Sequence, residues 1–380
     1  MTIARFSNSR RHGRGGINGR HEMLRRAIAL PIVVLVLSML TATNVMAVGQ
    51  RTFVASYGDD LNPCTLQLPC RAFLAAMLQT NPGGEVVVLD SAGYGPVTIT
   101  KAVSVIAPPG VYAGMSPTAG VDGIVVAAGP SDKVVLRGLT INGQGGNRGI
   151  VITSAGEVHI EQCTVANMGQ DGIQINGGAR VHIRSSTVRS NGWRGLAVLT
   201  GSPAVQVLDS QFANNTLAGV HIVAGTLDAA RIAANENFAG IVAVAPPEGA
   251  TVVVTVSDSV ASGNATHGTN AITNTLASAI RMAIVRTTSA RNGSDGFGAY
   301  TQDVGTVFLS VSDSVSVGNV WGLTSSGLGA TAVITRSTFA DNVAYDIVKG
   351  STAVLRTSGN NTLTGTGTTV SGAYTPNPLF

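Results

Sequence analysis

Two short stretches, His159-Ile160-Glu161 and His182-Ile183-Arg184, each set an imidazole two residues before a charged side chain. Val135-Leu136-Arg137 precedes them and Gln206-Val207-Leu208 follows, so equivalent positions fall 24, 23 and 24 residues apart. An imidazole titrating near neutrality serves as a general acid or base. A guanidinium neutralises a carboxylate or a developing oxyanion. His159, His182, Arg184 and Arg137 are therefore the candidate catalytic residues, with Glu161, Arg180, Gln206, Arg194 and His221 as candidate substrate contacts. A plainer chemistry competes: Arg137, Glu161 and Arg184 also describe an exposed ion ladder, in which each pair contributes about 0.2–1 kcal/mol.

These side chains can meet only if the elements carrying them stack. Around each His, apolar and polar residues alternate, the period of a strand with one buried face. Val158 and Ile160 then face inward, as do Val181 and Ile183, while His159, Glu161, His182 and Arg184 face outward. The alternation belongs to a longer unit, seen in 148–168, 171–191, 194–215, 218–237 and 239–264, with looser copies to residue 361 and one before, at 122–143. A Gly opens a short apolar strand; then come a loop, an alternating strand, a small residue at a bend, one apolar residue and a closing Asn. The opening glycines 149, 172, 195 and 219 are 23, 23 and 24 residues apart.

Strands this short cannot form a sheet alone, and no unit has an apolar stripe long enough for a crossover helix. A period near 23 with three strands leaves a coil, each strand pairing in parallel with its counterpart one turn on, about 4.8 Å away. The expected fold is all-β: a right-handed single-stranded parallel β-helix of about ten or more coils, with a short N-terminal capping helix near 70–79.

With this grammar the chain resembles the parallel β-helix repeat proteins of the pectin-lyase-like superfamily, exported bacterial type, over roughly residues 51–361. The resemblance implies an Asn stacked from coil to coil, for which Asn167, Asn191, Asn215, Asn237, Asn264, Asn292, Asn319 and Asn342 are in position. It also implies a substrate groove on the strand after the variable loop, where His159 and His182 lie. A lyase on a uronate polymer would there need cations, a base for the C5 proton and an acid for the leaving oxygen. The paired aspartates and Gly-His-Gly turn of hydrolases in this fold are missing, and arginines beside Glu161 would repel the calcium of calcium-dependent lyases. Asp209, Asp258 and Asp313 read as bend residues, and Asp171 and Asp295 as turn residues.

Seven of the 24 basic residues fall within the first 26, which hold a single acid, Glu22. The remainder carries 17 basic and 19 acidic residues, so nothing draws it to nucleic acid or to an anionic membrane. Arg25-Arg26, the apolar run from Ala27 to Leu40 and a close at Val45-Met46-Ala47 describe a secretory signal cut after Ala47. That run is shorter than the roughly 18–20 residues needed for a span. Met23 offers an alternative start, and secretion or a periplasmic or surface location follows. Cys64 and Cys70, six apart, read as a disulfide of an oxidising compartment, and Cys163 as a buried small hydrophobe.

The organisation expected is residues 1–47 as extension and signal peptide, 48–84 as cap, 85–361 as β-helix and 362–380 as a tail. No cofactor, phosphate-loop or metal motif appears, and oligomeric state leaves no trace in the residues. The partner implied is a polysaccharide or cell-surface glycan. The reading preferred is a glycan-binding protein; the alternative is a polysaccharide lyase, hydrolase or epimerase acting on an acidic polymer. A cleft walled by loops 153–157, 176–180 and 199–204 would favour the enzyme, and a flat face the binder.

Overall fold

The computed structural model describes residues 49–244, 249–302, 304–364, 368–373 and 375–376. The expected signal peptide and its cut after Ala47 lie outside these residues. Inward valines, isoleucines and leucines dictate the architecture. One column runs Val134, Val158, Val181, Val205, Leu227 and a second runs Leu136, Ile160, Ile183, Val207, Ala229, in register from strand to strand. All ten are buried. Each large apolar side chain so enclosed stabilises by roughly 1.5–3 kcal/mol relative to exposure.

The chain winds as the right-handed parallel β-helix the repeat predicts. Three parallel sheets of 14, 12 and 12 strands run its length. Sheet A holds the alternating strands, including Lys133–Arg137, Glu157–Glu161, Arg180–Arg184 and Ala204–Leu208. Sheet B holds three-residue strands such as Thr164–Ala166 and Thr187–Arg189. Sheet C holds the Gly-led strands, among them Arg194–Val198, Ala218–Ile222, Thr269–Thr273 and Asp295–Thr301. The leading Gly is required by contact with the next coil: a Cβ on Gly172 would lie 2.4 Å from Val188 Cγ1 and 2.9 Å from the Gly195 carbonyl oxygen.

Between residues 157 and 349 two corners of each coil are fixed. The bend from A to B has a left-handed residue, as at Gln162, Ser185, Asp209 and Arg231, and so does the turn from B to C, as at Asn167, Ser190 and Asn214. After the second left-handed residue comes the stacked Asn. Asn191, Asn215, Asn237, Asn264, Asn292, Asn319 and Asn342 form one continuous row, each Nδ2 donating to the next Oδ1 at 2.9–3.3 Å. Asn167 is not in that row. It takes the left-handed position itself (φ 58°), and Met168 stands where the Asn would, its backbone N–H donating to Asn191 Oδ1.

The ends are closed differently. The capping helix is Phe73–Gln79, with Phe73, Ala76 and Met77 buried. Asp60 Oδ1 accepts from the backbone N–H groups of Arg71 and Ala72, and Lys101 Nζ donates to the carbonyls of Met77 and Thr80 beyond it. Cys64 and Cys70 are disulfide-bonded, and Cys163 is free and buried. At the far end, Thr368–Ser371 pairs with Tyr345–Lys349 and Thr375–Pro376 with Val354–Thr357. Among the described residues no helix is long and apolar enough to cross a membrane.

Candidate functional site

The outward columns of sheet A meet as the spacing requires. Val135, His159, His182 and Gln206 are register partners, as are Arg137, Glu161, Arg184 and Leu208. A third column, Lys133, Glu157, Arg180, Ala204, stands beside them. Glu157 and Lys133 escape a reading centred on the histidines, although their 24- and 23-residue spacing carries the same signal.

Glu157 is the hub. Its Oε1 accepts from His159 Nε2 at 2.5 Å and from Lys133 Nζ at 3.0 Å, and its Oε2 from Arg180 at 3.1 Å. The His159 hydrogen bond, then that of Lys133, holds the Glu157 carboxyl down to about 2. Glu161 takes both Nε and a terminal nitrogen of Arg137 at 2.7 Å and faces His159 Nδ1 at 3.5 Å. His159 is therefore committed between two carboxylates.

The His159 and His182 rings stack, 4.8 Å apart and 26° from parallel. His182 Nδ1 lies 3.3 Å from Gln206 Oε1, an atom that only accepts, so Nδ1 is the donor there and Nε2 is left for another partner. Glu157, His159 and His182 bring possible ligand atoms within 4.8 Å of one another. Lys133, Arg137, Arg180 and Arg184 outnumber the two carboxylates on this face, a field that works against a divalent cation.

Arg184 meets Asp209 only through its charge, which together with the Arg231 hydrogen bond helps to hold that carboxyl down. No ion pair or hydrogen bond within the described residues engages its guanidinium, and it lines a concavity of about 390 Å³ with Pro108, Pro109, Arg137, Glu161 and Ser185. The bounding loops are short: residues 155–156, 176–179 and 199–203 are all that separate the flanking strands. The sheet face is consequently open rather than walled.

Other candidates lie elsewhere. Arg180 joins the sheet A patch through Glu157. Arg194 and His221 do not: they belong to strands of sheet C. There Arg194 pairs with buried Asp171 at 2.9 Å and reaches His221 Nδ1 at 3.4 Å. Burial, then the Arg194 charge, lowers His221 to about 4.

Neither Asp171 nor Asp295 is a plain turn residue, since both are buried and hydrogen-bonded. Asp209, Asp258 and Asp313 are likewise more than bend residues accepting local backbone bonds. The intervening coils carry Arg231, Arg286 and Arg336 at the same left-handed position, and each Arg grips the preceding Asp through two hydrogen bonds of 2.6–3.0 Å.

Comparison with known proteins agrees on architecture. The family model described as "Right handed beta helix region" matches residues 115–239. The crystal structure of pectate lyase Pel9A is similar, with 16% identity, 85% of this chain and 78% of that chain covered, and a TM-score of 0.51. A GH136 lacto-N-biosidase from Eubacterium ramulus (10% identity, 87% and 68% covered) and a rhamnogalacturonan lyase (13%, 81% and 74%) align at TM-scores of 0.45 and 0.25. No curated protein sequence matches the chain.

Proposed function

We propose that this chain, a right-handed parallel β-helix of the pectin-lyase-like fold, is an exported protein that binds an acidic glycan on the outer face of sheet A. The observation that carries the reading is Arg184: a guanidinium with no ion pair of its own, at the edge of an open concavity shared with Arg137. A planar fork of donors fits a uronate carboxylate bidentately. The open face receives a chain laid along it without enclosing a single bond, which favours binding over cleavage. The Cys64–Cys70 disulfide supports an oxidising compartment.

His182 sustains a second reading. It stands two residues before Arg184 on the same face of the strand, about 7 Å along the backbone. A base beside a carboxylate-binding cation is what lyase or epimerase chemistry on a uronate polymer requires. Titration of oligogalacturonate and oligoalginate, with an absorbance assay for unsaturated product, tests both. Arg184→Ala should weaken binding by roughly ten- to a hundredfold, the loss of one charge-assisted bond of about 1.5–3 kcal/mol. Unchanged affinity in Arg184→Ala removes the site, and unsaturated product that vanishes in His182→Ala establishes the enzyme.

A further inference from the structure

A second cluster of chemistry lies on the outer face of sheet C, away from Arg184. Asp295 is fully buried, and its carboxylate accepts from His267 Nδ1 at 2.8 Å, Tyr300 Oη at 2.6 Å, Ser294 Oγ at 3.3 Å and Thr324 Oγ1. Burial pushes this carboxyl up, but the hydrogen bonds of His267, Thr324 and Tyr300 together outweigh it and hold the group ionised. A carboxylate only accepts, so His267 donates from Nδ1 and turns Nε2 away from Asp295.

That imidazole helps to line a concavity of about 250 Å³ whose other walls include Leu217, His221, Phe238, Val242 and Ile272. Leu217 and Phe238 occupy the same turn position on successive coils, and Trp193 occupies it one coil earlier. They are 48%, 43% and 49% exposed in the order Trp193, Leu217, Phe238. Three coils set these steps over about 10 Å, at about 4.8 Å each.

The Arg194 charge beside the strip is already paired. Asp171 takes the Arg194 guanidinium, which also lies over the Trp193 ring at 5.6 Å. Asp295 is enclosed by its donors.

We infer that this face is a second binding site, for an uncharged sugar chain of two or three units, with pyranose faces stacked on Trp193, Leu217 and Phe238 and a hydroxyl hydrogen-bonded to His267 Nε2. A sugar has the required mixture, an apolar ring face with hydroxyls at its rim. Three stepped side chains are few beside the roughly 20–30 residues a side of a stable protein interface. An uncharged occupant matches a face whose Arg194 is held by Asp171 and whose walls include Leu217, Phe238, Val242 and Ile272. The inference is independent of the Arg184 reading, which concerns an anionic ligand on another sheet.

The chain has two tryptophans, so Trp321→Phe leaves Trp193 as the sole indole reporter. Cellotetraose, maltotetraose and tetragalacturonate would be titrated against this background by fluorescence and calorimetry. At least one neutral tetrasaccharide should shift the Trp193 emission saturably. Phe238→Ala and His267→Ala should each raise its Kd about tenfold or more, and Arg184→Ala should leave it unchanged. Phe238 is half exposed, so its truncation does not open the core. Absence of any response to the neutral sugars at millimolar concentration, binding that survives both substitutions, or self-association abolished by Phe238→Ala would each overturn the proposal.

Discussion

Replacing Asn264 by Ala tests what the stacked asparagines contribute. Asn264 Nδ2 donates to the Ala234 carbonyl at 3.0 Å and to Asn292 Oδ1 at 2.9 Å. Its Oδ1 accepts from the Asn237 backbone N–H at 3.0 Å and from Asn237 Nδ2 at 3.3 Å. Asn237 Nδ2 has a second acceptor in the Phe212 carbonyl, so truncation orphans one buried donor, the Asn237 backbone N–H. An orphaned buried donor costs about 1–3 kcal/mol, and the two bonds made by Asn264 Nδ2 contribute about 1 kcal/mol each, so the loss should be about 3–5 kcal/mol.

Asn167→Gly is the matched control. Asn167 makes one exposed bond, 2.7 Å to Asn142 Oδ1, and its left-handed backbone suits Gly, so this change should cost less than about 1 kcal/mol. Urea unfolding of the two variants gives the free energies. Amide exchange at coils 212–264 shows whether the loss is local, because a solenoid need not unfold in one step. Equal destabilisation by the two substitutions, or less than about 1 kcal/mol from Asn264→Ala, would refute the assignment of the row and the cost given to the orphaned N–H.

Two further outcomes follow from burial. The Cys163 thiol is enclosed and pushed up to about 11, chiefly by desolvation, so an aromatic disulfide reagent at neutral pH should label it only at the unfolding rate; labelling that outpaces unfolding would show an opening at this bend. His221 should titrate near 4 by imidazole NMR rather than near its ordinary 6.5. The unfolded chain then binds a proton that the fold refuses between those values, so His221 should cost stability as pH falls through that window, and a native titration near 6.5 would contradict its buried setting.

The residues show how far sequence alone reaches. Inward Val, Ile and Leu repeat at nearly constant spacing, because each strand must sit on its predecessor, and that regularity exposes the coil. The outward columns of sheet A follow by alternation, so His159 beside His182 and Glu161 beside Arg184 are legible from residue numbers. Asn167 misleads because Asn suits both a left-handed turn and the stacked position one residue later, and Met168 in the next place hides the shift. Cys163, readable as buried, also stands in a row at the A-to-B bend, its backbone N–H donating to Ser186 Oγ. The pairing of Arg231 with Asp209 is obscured because TLDAARIA and VQVLDSQF share few residue types outside the bend. His267 and Asp295 are 28 residues apart, off the 23-residue beat, and the sheet A strand between them, Ala279–Val285, is two residues longer than Ala204–Leu208.

The coil cross-section has three corners, and two are pinned by left-handed residues and stacked side chains. The third, leading into sheet A, is not pinned in this way and runs from two residues at 155–156 to five at 199–203. Peptides spliced into 176–179 and 199–203 would therefore emerge along a single margin, about 4.8 Å apart. Backbone pairing sets that interval whatever the inserts contain, which makes the margin a line of graded attachment points that can be rewritten while the barrel beneath stays the same.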